Sequence, residues 1–374
     1  MKKYIALILA LVMALSLVAC GQEAAPADEV VEEVAYKVAM ITDYGDITDQ
    51  SFNQTTYEAC KEYCEGAGLE FTYFKPATND DAGRVAMIES AIDQGFNVIV
   101  MPGYAFGPAI AETAEPNADV TFVALDVGEG DLGEGYTVPA NLYCAVYQEE
   151  LCGYMAGYAA VKMGYKKLGF LGGMAVPAVV RYGYGFVQGV DAAAAELELT
   201  DVECNYVYGG QFFGDDAITA VMDTWYTAGT ECVFACGGGI YTSAAEAAAK
   251  VGGKVIGVDV DQAAIIDGQY GEGMTVTSAM KGLAATVKTV LASVVDGSFA
   301  GGKVDTLGLV SDVPAENYVQ IAGSTQFCDT FTQADYEALV AAMNAGTITV
   351  SNDITVAAAD LATVITVNEQ ASIH

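Results

Sequence analysis

From Tyr36 onward the chain alternates short, β-branched apolar runs with amphipathic windows of helical period, and this alternation restricts the fold more than any other feature. Short apolar runs closed by Gly-containing turns fit strands buried on both faces, and the helices between them cover those faces. The pattern therefore predicts an α/β protein with parallel strands. Strands are expected at Lys37 to Thr42, Glu70 to Tyr73, Asn97 to Met101 and Val120 to Leu125, with helices at Ser51 to Glu65, Asp80 to Gln94 and Pro108 to Ala114. After Asp126 the alternation breaks in a loop tract from Gly128 to Gly135, which leads through Tyr143 into a helix from Gln148 to Met163.

A second series follows, with strands at Lys167 to Leu171, Val202 to Tyr206, Cys232 to Cys236 and Val255 to Val258. Its helices are Val179 to Leu197, Asp215 to Thr227 and Thr242 to Val251. With 374 residues the chain exceeds what one hydrophobic core usually organises, so two lobes are expected. Met274 to Ala279 and the helix Gly282 to Asp296 are read as returning to the first lobe. The spans are then 36–146 plus 276–304 for lobe 1 and 147–275 plus 305–350 for lobe 2. Residues 351–374 form a C-terminal tail whose role the sequence leaves open, after a helix from Gln333 to Ala345.

The N-terminal stretch has a basic start at Lys2 and Lys3, an apolar run from Tyr4 to Val18, and then Leu17-Val18-Ala19-Cys20. This is the composition of an export signal over 1–19, removed from the mature protein. The Leu-x-x-Cys ending resembles the bacterial lipobox, which implies that Cys20 is acylated and that 20–35 serve as lipid anchor and solvated spacer on the extracytoplasmic face of the cell membrane. Against 15 Lys and Arg stand 49 Asp and Glu, a net charge of -34 that repels phosphate backbones and anionic headgroups. Nucleic acid is excluded as a partner, and membrane contact is expected through the anchor alone.

Of nine cysteines, Cys60 and Cys64 sit one helical turn apart, and Cys232 and Cys236 share one side of a strand. Neither pair has C-x-x-C spacing, and the single histidine is His374, so free buried thiols are expected and no metal or cofactor. The same lone histidine excludes a Ser-His-Asp triad.

Ligands of open α/β sheets bind at the carboxyl ends of strands. Here those ends carry Asp43 to Asn53, Asp126, Gly237 to Gly239, Asp259 and Asp261, with Lys281 after a later strand. Singly, Asp49 or Ser51 reads as a helix cap, the glycines as turns and Lys281 as a solvated charge; as a set they point to a site. Phe52, at the start of a helix, suits core or cleft, and Phe212 or Phe213, in a loop between strand and helix, suits stacking on a flat ligand.

Asp-x-Ser-Phe-Asn (Asp49 to Asn53), Phe122-Val-Ala-Leu-Asp126, Gly169-Phe-Leu-Gly-Gly-Met174, Gly185-Phe-x-x-Gly189 and Ile256-Gly-Val-Asp-Val-Asp-Gln262 occur in this order. Together they resemble the basic-membrane-protein family of ABC-transporter lipoproteins, which includes purine nucleoside receptors, from about Tyr36 to the strand after Lys303. The resemblance implies a type I periplasmic-binding-protein fold, two Rossmann-like lobes with a hinge between them. It implies a monomeric, non-enzymatic receptor that captures inosine, guanosine or adenosine and delivers it to an ABC permease. Positions matching Phe52 and Phe212 or Phe213 would stack on the base, and those matching Asp43 and Asp126 would meet its polar edge. Asp259 and Lys281, with a backbone contact near Gly238, would hold the ribose. Asp49 and Asn53 complete the ligand-binding candidates. A site rich in Asp with only Lys281 to meet a phosphate is expected to bind nucleotides weakly or not at all.

Three other readings compete. A nucleoside hydrolase would gather Asp43, Asp46 and Asp49 around calcium; a receptor could take a sugar-like ligand; and an adhesin would have no reason to align polar strand ends.

Overall fold

Each apolar run becomes a strand of one of two parallel sheets. The computed structural model describes residues 35–374, so the export signal, Cys20 and most of the spacer lie outside the described residues. The first sheet takes β1 (Lys37–Ile41), β2 (Glu70–Phe74), β3 (Val98–Pro102), β4 (Thr121–Leu125) and β5 (Leu142–Tyr147). The second takes β6 (Lys167–Gly172), β7 (Glu203–Tyr208), β8 (Cys232–Cys236), β9 (Lys254–Asp259) and β10 (Thr275–Lys281). β11 (Lys303–Leu307) then returns to the first sheet, while β12 (Val319–Ile321) and β13 (Thr366–Glu369) take the two edges of the second. The orders are β11-β5-β4-β3-β1-β2 and β12-β10-β9-β8-β6-β7-β13. Among the described strands only β12 runs antiparallel, against β10. The central strands β3 and β8 are buried along their whole length, as continuous apolar runs between helical layers must be.

Several expectations need correction. Met274 to Ala279 does not return to the first lobe: it belongs to β10, held in the second sheet between β9 and β12. The helix Leu283–Val295 that follows packs against Phe52–Ala67 of the first lobe, so the crossing falls at Gly282. The boundary at 304 cuts β11, all of which pairs with β5. β5 itself was not expected as a strand, because Leu-Tyr-Cys-Ala-Val-Tyr has one β-branched residue; its neighbours β4 and β11 specify it. The tail is also part of the sheet, since Thr366–Glu369 pairs in parallel with β7.

The chain thus crosses between the sheets three times, and the crossings are tied together. Gln148 N donates to Leu307 O (2.9 Å), Gly282 N to Tyr318 O (2.7 Å) and Tyr318 N to Gly308 O (3.0 Å). Beside this hinge the helices Glu149–Lys162 and Pro177–Glu196 meet backbone to backbone. A Cβ on Gly185 would lie 2.0 Å from Glu150 O, so only glycine permits the approach that fixes Glu149 and Arg181 near the site. The described cysteines are free, all buried except Cys328.

Candidate ligand site between the two sheets

The carboxyl ends of both sheets open onto one cavity of about 880 Å³, within the size range of small-molecule sites. Every ligand-binding candidate read from the sequence lines it: Asp43, Asp49, Phe52, Asn53 and Asp126 from the first lobe, and Phe212, Phe213, Gly238, Asp259 and Lys281 from the second.

The site begins with backbone geometry. Asp126 closes β4 with φ 56° and Asp259 closes β9 with φ 64°, both in the left-handed region that costs a non-glycine residue about 1 kcal/mol or more and that Asp tolerates better than most. β4 and β9 hold the same place in their sheets, so the two lobes aim matching carboxylates at each other. Lys281 lies between them, with Nζ 2.5 Å from Asp126 Oδ2, 3.7 Å from Asp259 Oδ1 and 3.3 Å from Glu149 Oε1. Burial pushes the ammonium's pKa down, but these three carboxylates hold it above the ordinary lysine range, so it stays charged. Arg181 Nε adds a 2.7 Å bond to Glu149. Three carboxylates against two cations make this buried cluster formally net negative, while burial pushes the Glu149 and Asp259 carboxyl pKa values up. Phe52, Tyr147 and Tyr182 surround the ammonium, with ring centroids at 4.7, 5.5 and 5.6 Å.

The loop after β1 shows a division of labour. Asp49 accepts from the backbone N–H of Ser51 (2.9 Å), Asn53 (3.0 Å) and Gln54 (3.0 Å), satisfying the first turn of the helix Phe52–Ala67. This frees the Ser51 hydroxyl, which crosses to the other lobe and donates to Asp259 Oδ2 at 2.5 Å. Asp49 therefore holds the start of this helix in place beside the cavity it also lines. Asp43 accepts from Tyr44 N and Gly45 N, and burial raises its carboxyl pKa against those bonds. Asp46 instead pairs with Lys75. The three aspartates are thus each committed separately, and no described group of three or more His, Cys, Asp or Glu is arranged to hold a metal.

The two phenylalanines separate. Phe212 lies on a bed of glycine backbone, where a Cβ on Gly173 would come within 2.4 Å and one on Gly237 within 2.8 Å of its ring. Phe213 is 61% exposed. The glycine run after β8, read from sequence as turn punctuation, makes room for the Phe212 ring.

Two buried acceptors in the cavity have no hydrogen-bond partner, Asp126 Oδ1 and Asn53 Oδ1. The Asn53 amide is oriented by Nδ2 donating to Asp49 Oδ2 at 3.2 Å. Buried polar atoms are normally satisfied, so this cavity asks for hydrogen-bond donors. Its negative charge disfavours an anion.

Sequence reasoning missed Tyr44, Glu149, Met174, Arg181 and Tyr182. Glu149 had a signal, since it follows β5 as other site residues follow their strands, but that strand went unrecognised. Arg181 and Tyr182 lie inside a helix and are brought in by the glycine crossing.

Paired parallel sheets, three crossings and a cavity between their carboxyl ends define the two-lobed type I periplasmic-binding-protein fold. The profile of the family described as "ABC transporter substrate-binding protein PnrA-like" matches residues 36–321. The chain belongs to this family and is an ABC-transporter substrate-binding protein. It is 28% identical over 292 residues to the ABC transporter nucleoside-binding protein BmpA of Lactococcus lactis, covering 73% of this chain and 79% of that protein. To basic membrane protein A of Borreliella burgdorferi it is 26% identical over 281 residues, covering 74% and 78%. Among solved structures, an ABC transporter solute-binding protein from Conexibacter woesei superposes with TM-score 0.65 at 23% identity, covering 85% of this chain and 99% of that one, a likeness of fold.

Proposed function

We propose that this protein captures a purine nucleoside between its lobes and presents it to an ABC permease, without catalysis, while anchored through Cys20 to the extracytoplasmic face of the cell membrane. The observation that carries the reading is the pair of unpartnered buried acceptors, Asp126 Oδ1 and Asn53 Oδ1, in a net-negative cavity walled by Phe52 and Phe212. A nucleoside matches it in kind: a flat base for the rings, N–H donors on its edge, hydroxyl donors on its sugar and no charge. The nucleoside-binding relative in L. lactis supports the same ligand class. In this reading Asp259, which accepts from Ser51 of the opposite lobe, also accepts from ribose hydroxyls, and Lys281 beside it donates to them. A ligand touching both lobes stabilises the closed arrangement by its differential affinity, and a permease that recognises that arrangement reads occupancy.

The test is calorimetric titration of inosine, guanosine and adenosine into the purified full chain in detergent, after denaturation and refolding to strip bound ligand, with ribose and AMP as controls. Nucleoside binding that is lost in Asp259→Ala, with AMP silent, is the expected result. Ribose binding without nucleoside binding would move the assignment to a sugar-like ligand.

A further inference from the structure

Beside the main cavity lies a second chamber of about 340 Å³, and the two share Tyr44, Asn79, Tyr104, Asp131 and Met174 in their walls. The Tyr44 side chain stands in this shared wall. Its ring lies nearly parallel to that of Phe212 in the other lobe, with centroids 6.0 Å apart at 20°. Its hydroxyl reaches Met174 Sδ at 3.6 Å, and the Arg84 guanidinium carbon stands 6.0 Å from its centroid. Apart from a side-chain hydrogen bond with Tyr104, these are ring and thioether contacts, which another flat group can replace.

Lining the second chamber is Arg84, only 4% exposed. Its Nη1 pairs with Asp81 at 3.2 Å and its Nη2 with Asn79, but its Nε has no partner. A buried guanidinium with an unused N–H calls for an acceptor. That acceptor is not an anion, because Asp81 and Asp131 also line the chamber and set two carboxylates against one cation. A neutral carbonyl oxygen on a flat group meets both conditions.

We propose that this chamber is an accessory subsite for a neutral, planar, carbonyl-bearing substituent on the base of the captured nucleoside, with Tyr44 deciding admission and Arg84 donating to the carbonyl. The proposal rests on the nucleoside reading, in which Asp43, next to Tyr44 in the wall of the main cavity, meets the polar edge of the base.

The test is titration of adenosine, N6-benzyladenosine and N6-benzoyladenosine into the purified full chain and its variants. In Tyr44→Ala, affinity for both substituted compounds relative to adenosine rises about tenfold or more, the scale on which a pocket discriminates small changes in bulk, while Tyr44→Phe behaves as wild type. The benzoyl compound binds more tightly than the benzyl one, and Arg84→Met removes that preference while retaining adenosine; Arg84→Lys serves if the methionine variant does not fold. Adenosine binding with unchanged ratios in Tyr44→Ala overturns the role of Tyr44, and so does loss of every ligand in that variant. Equal binding of benzyl and benzoyl compounds overturns the role of Arg84. A wild-type chain silent towards all three, and towards inosine and guanosine, fails the nucleoside reading and the subsite with it.

Discussion

The two lobes share one order of core strands, yet they bring different chemistry to the cavity. At the ends of β4 and β9 they agree: Asp126 and Asp259 both adopt left-handed backbone and both face Lys281. At the ends of β1 and β6 they differ, for the first lobe has Asp43 where the second has Gly173. The first lobe thus supplies mainly carboxylates, and the second a glycine bed, the ring that rests on it, and the cation. The backbone frame fixes where a ligand lies, and a few substitutions at equivalent strand ends decide what each lobe can hold.

The largest effect is expected where both lobes depend on one group. Lys281→Met leaves Asp126, Asp259 and Glu149 buried without their shared cation, and is expected to cost about 3–5 kcal/mol in denaturant unfolding, unlike a surface lysine such as Lys250. A smaller effect separates the lobes. Gly173→Ala puts a methyl into the space of the Phe212 ring and should weaken ligand binding roughly tenfold, the scale of a lost stacking contact of about 1–3 kcal/mol, with the first-lobe carboxylates untouched. Calorimetry checks it, and unchanged affinity would mean the glycine bed is incidental.

The smallest effect lies at the outer edge of the second lobe. Asp191 accepts from Thr363 N and Oγ1, Val364 N and Ile365 N, just ahead of β13. Burial pushes its carboxyl pKa up, but these bonds outweigh that and hold it below the ordinary aspartate range. A depressed carboxylate stabilises the folded state fully above its unfolded pKa, about 4, and loses that contribution as pH falls through its folded value. β13 is therefore expected to exchange its amides faster on acidification below about pH 4, with Asp191→Asn removing the dependence.

Much of this was legible in the sequence because period and strand-end chemistry are local. The strands from Lys37 to Leu125, the polar residues that close them, and the free cysteines follow from patterns of a few residues. β5 was not legible, since its pairing partners rather than its composition make it a strand, and Glu149 was lost with it. Arg181 and Tyr182 were hidden for another reason: a helix crossing brings them to the cavity, and no short-range pattern encodes that distance, whereas Tyr44 stood beside Asp43 at the end of β1 and was passed over. Asp49 looked like a cap and like a ligand contact, and its hydrogen bonds to the first turn of the helix bear out the cap.

Capture between two lobes is tested most directly by titrating guanosine, inosine and adenosine into Phe52→Ala of the first lobe and Phe212→Ala of the second. Both rings wall the cavity, so each variant should lose roughly tenfold or more in affinity for the same nucleoside. Loss from one lobe alone, or undiminished binding in both, would contradict a ligand held between the two.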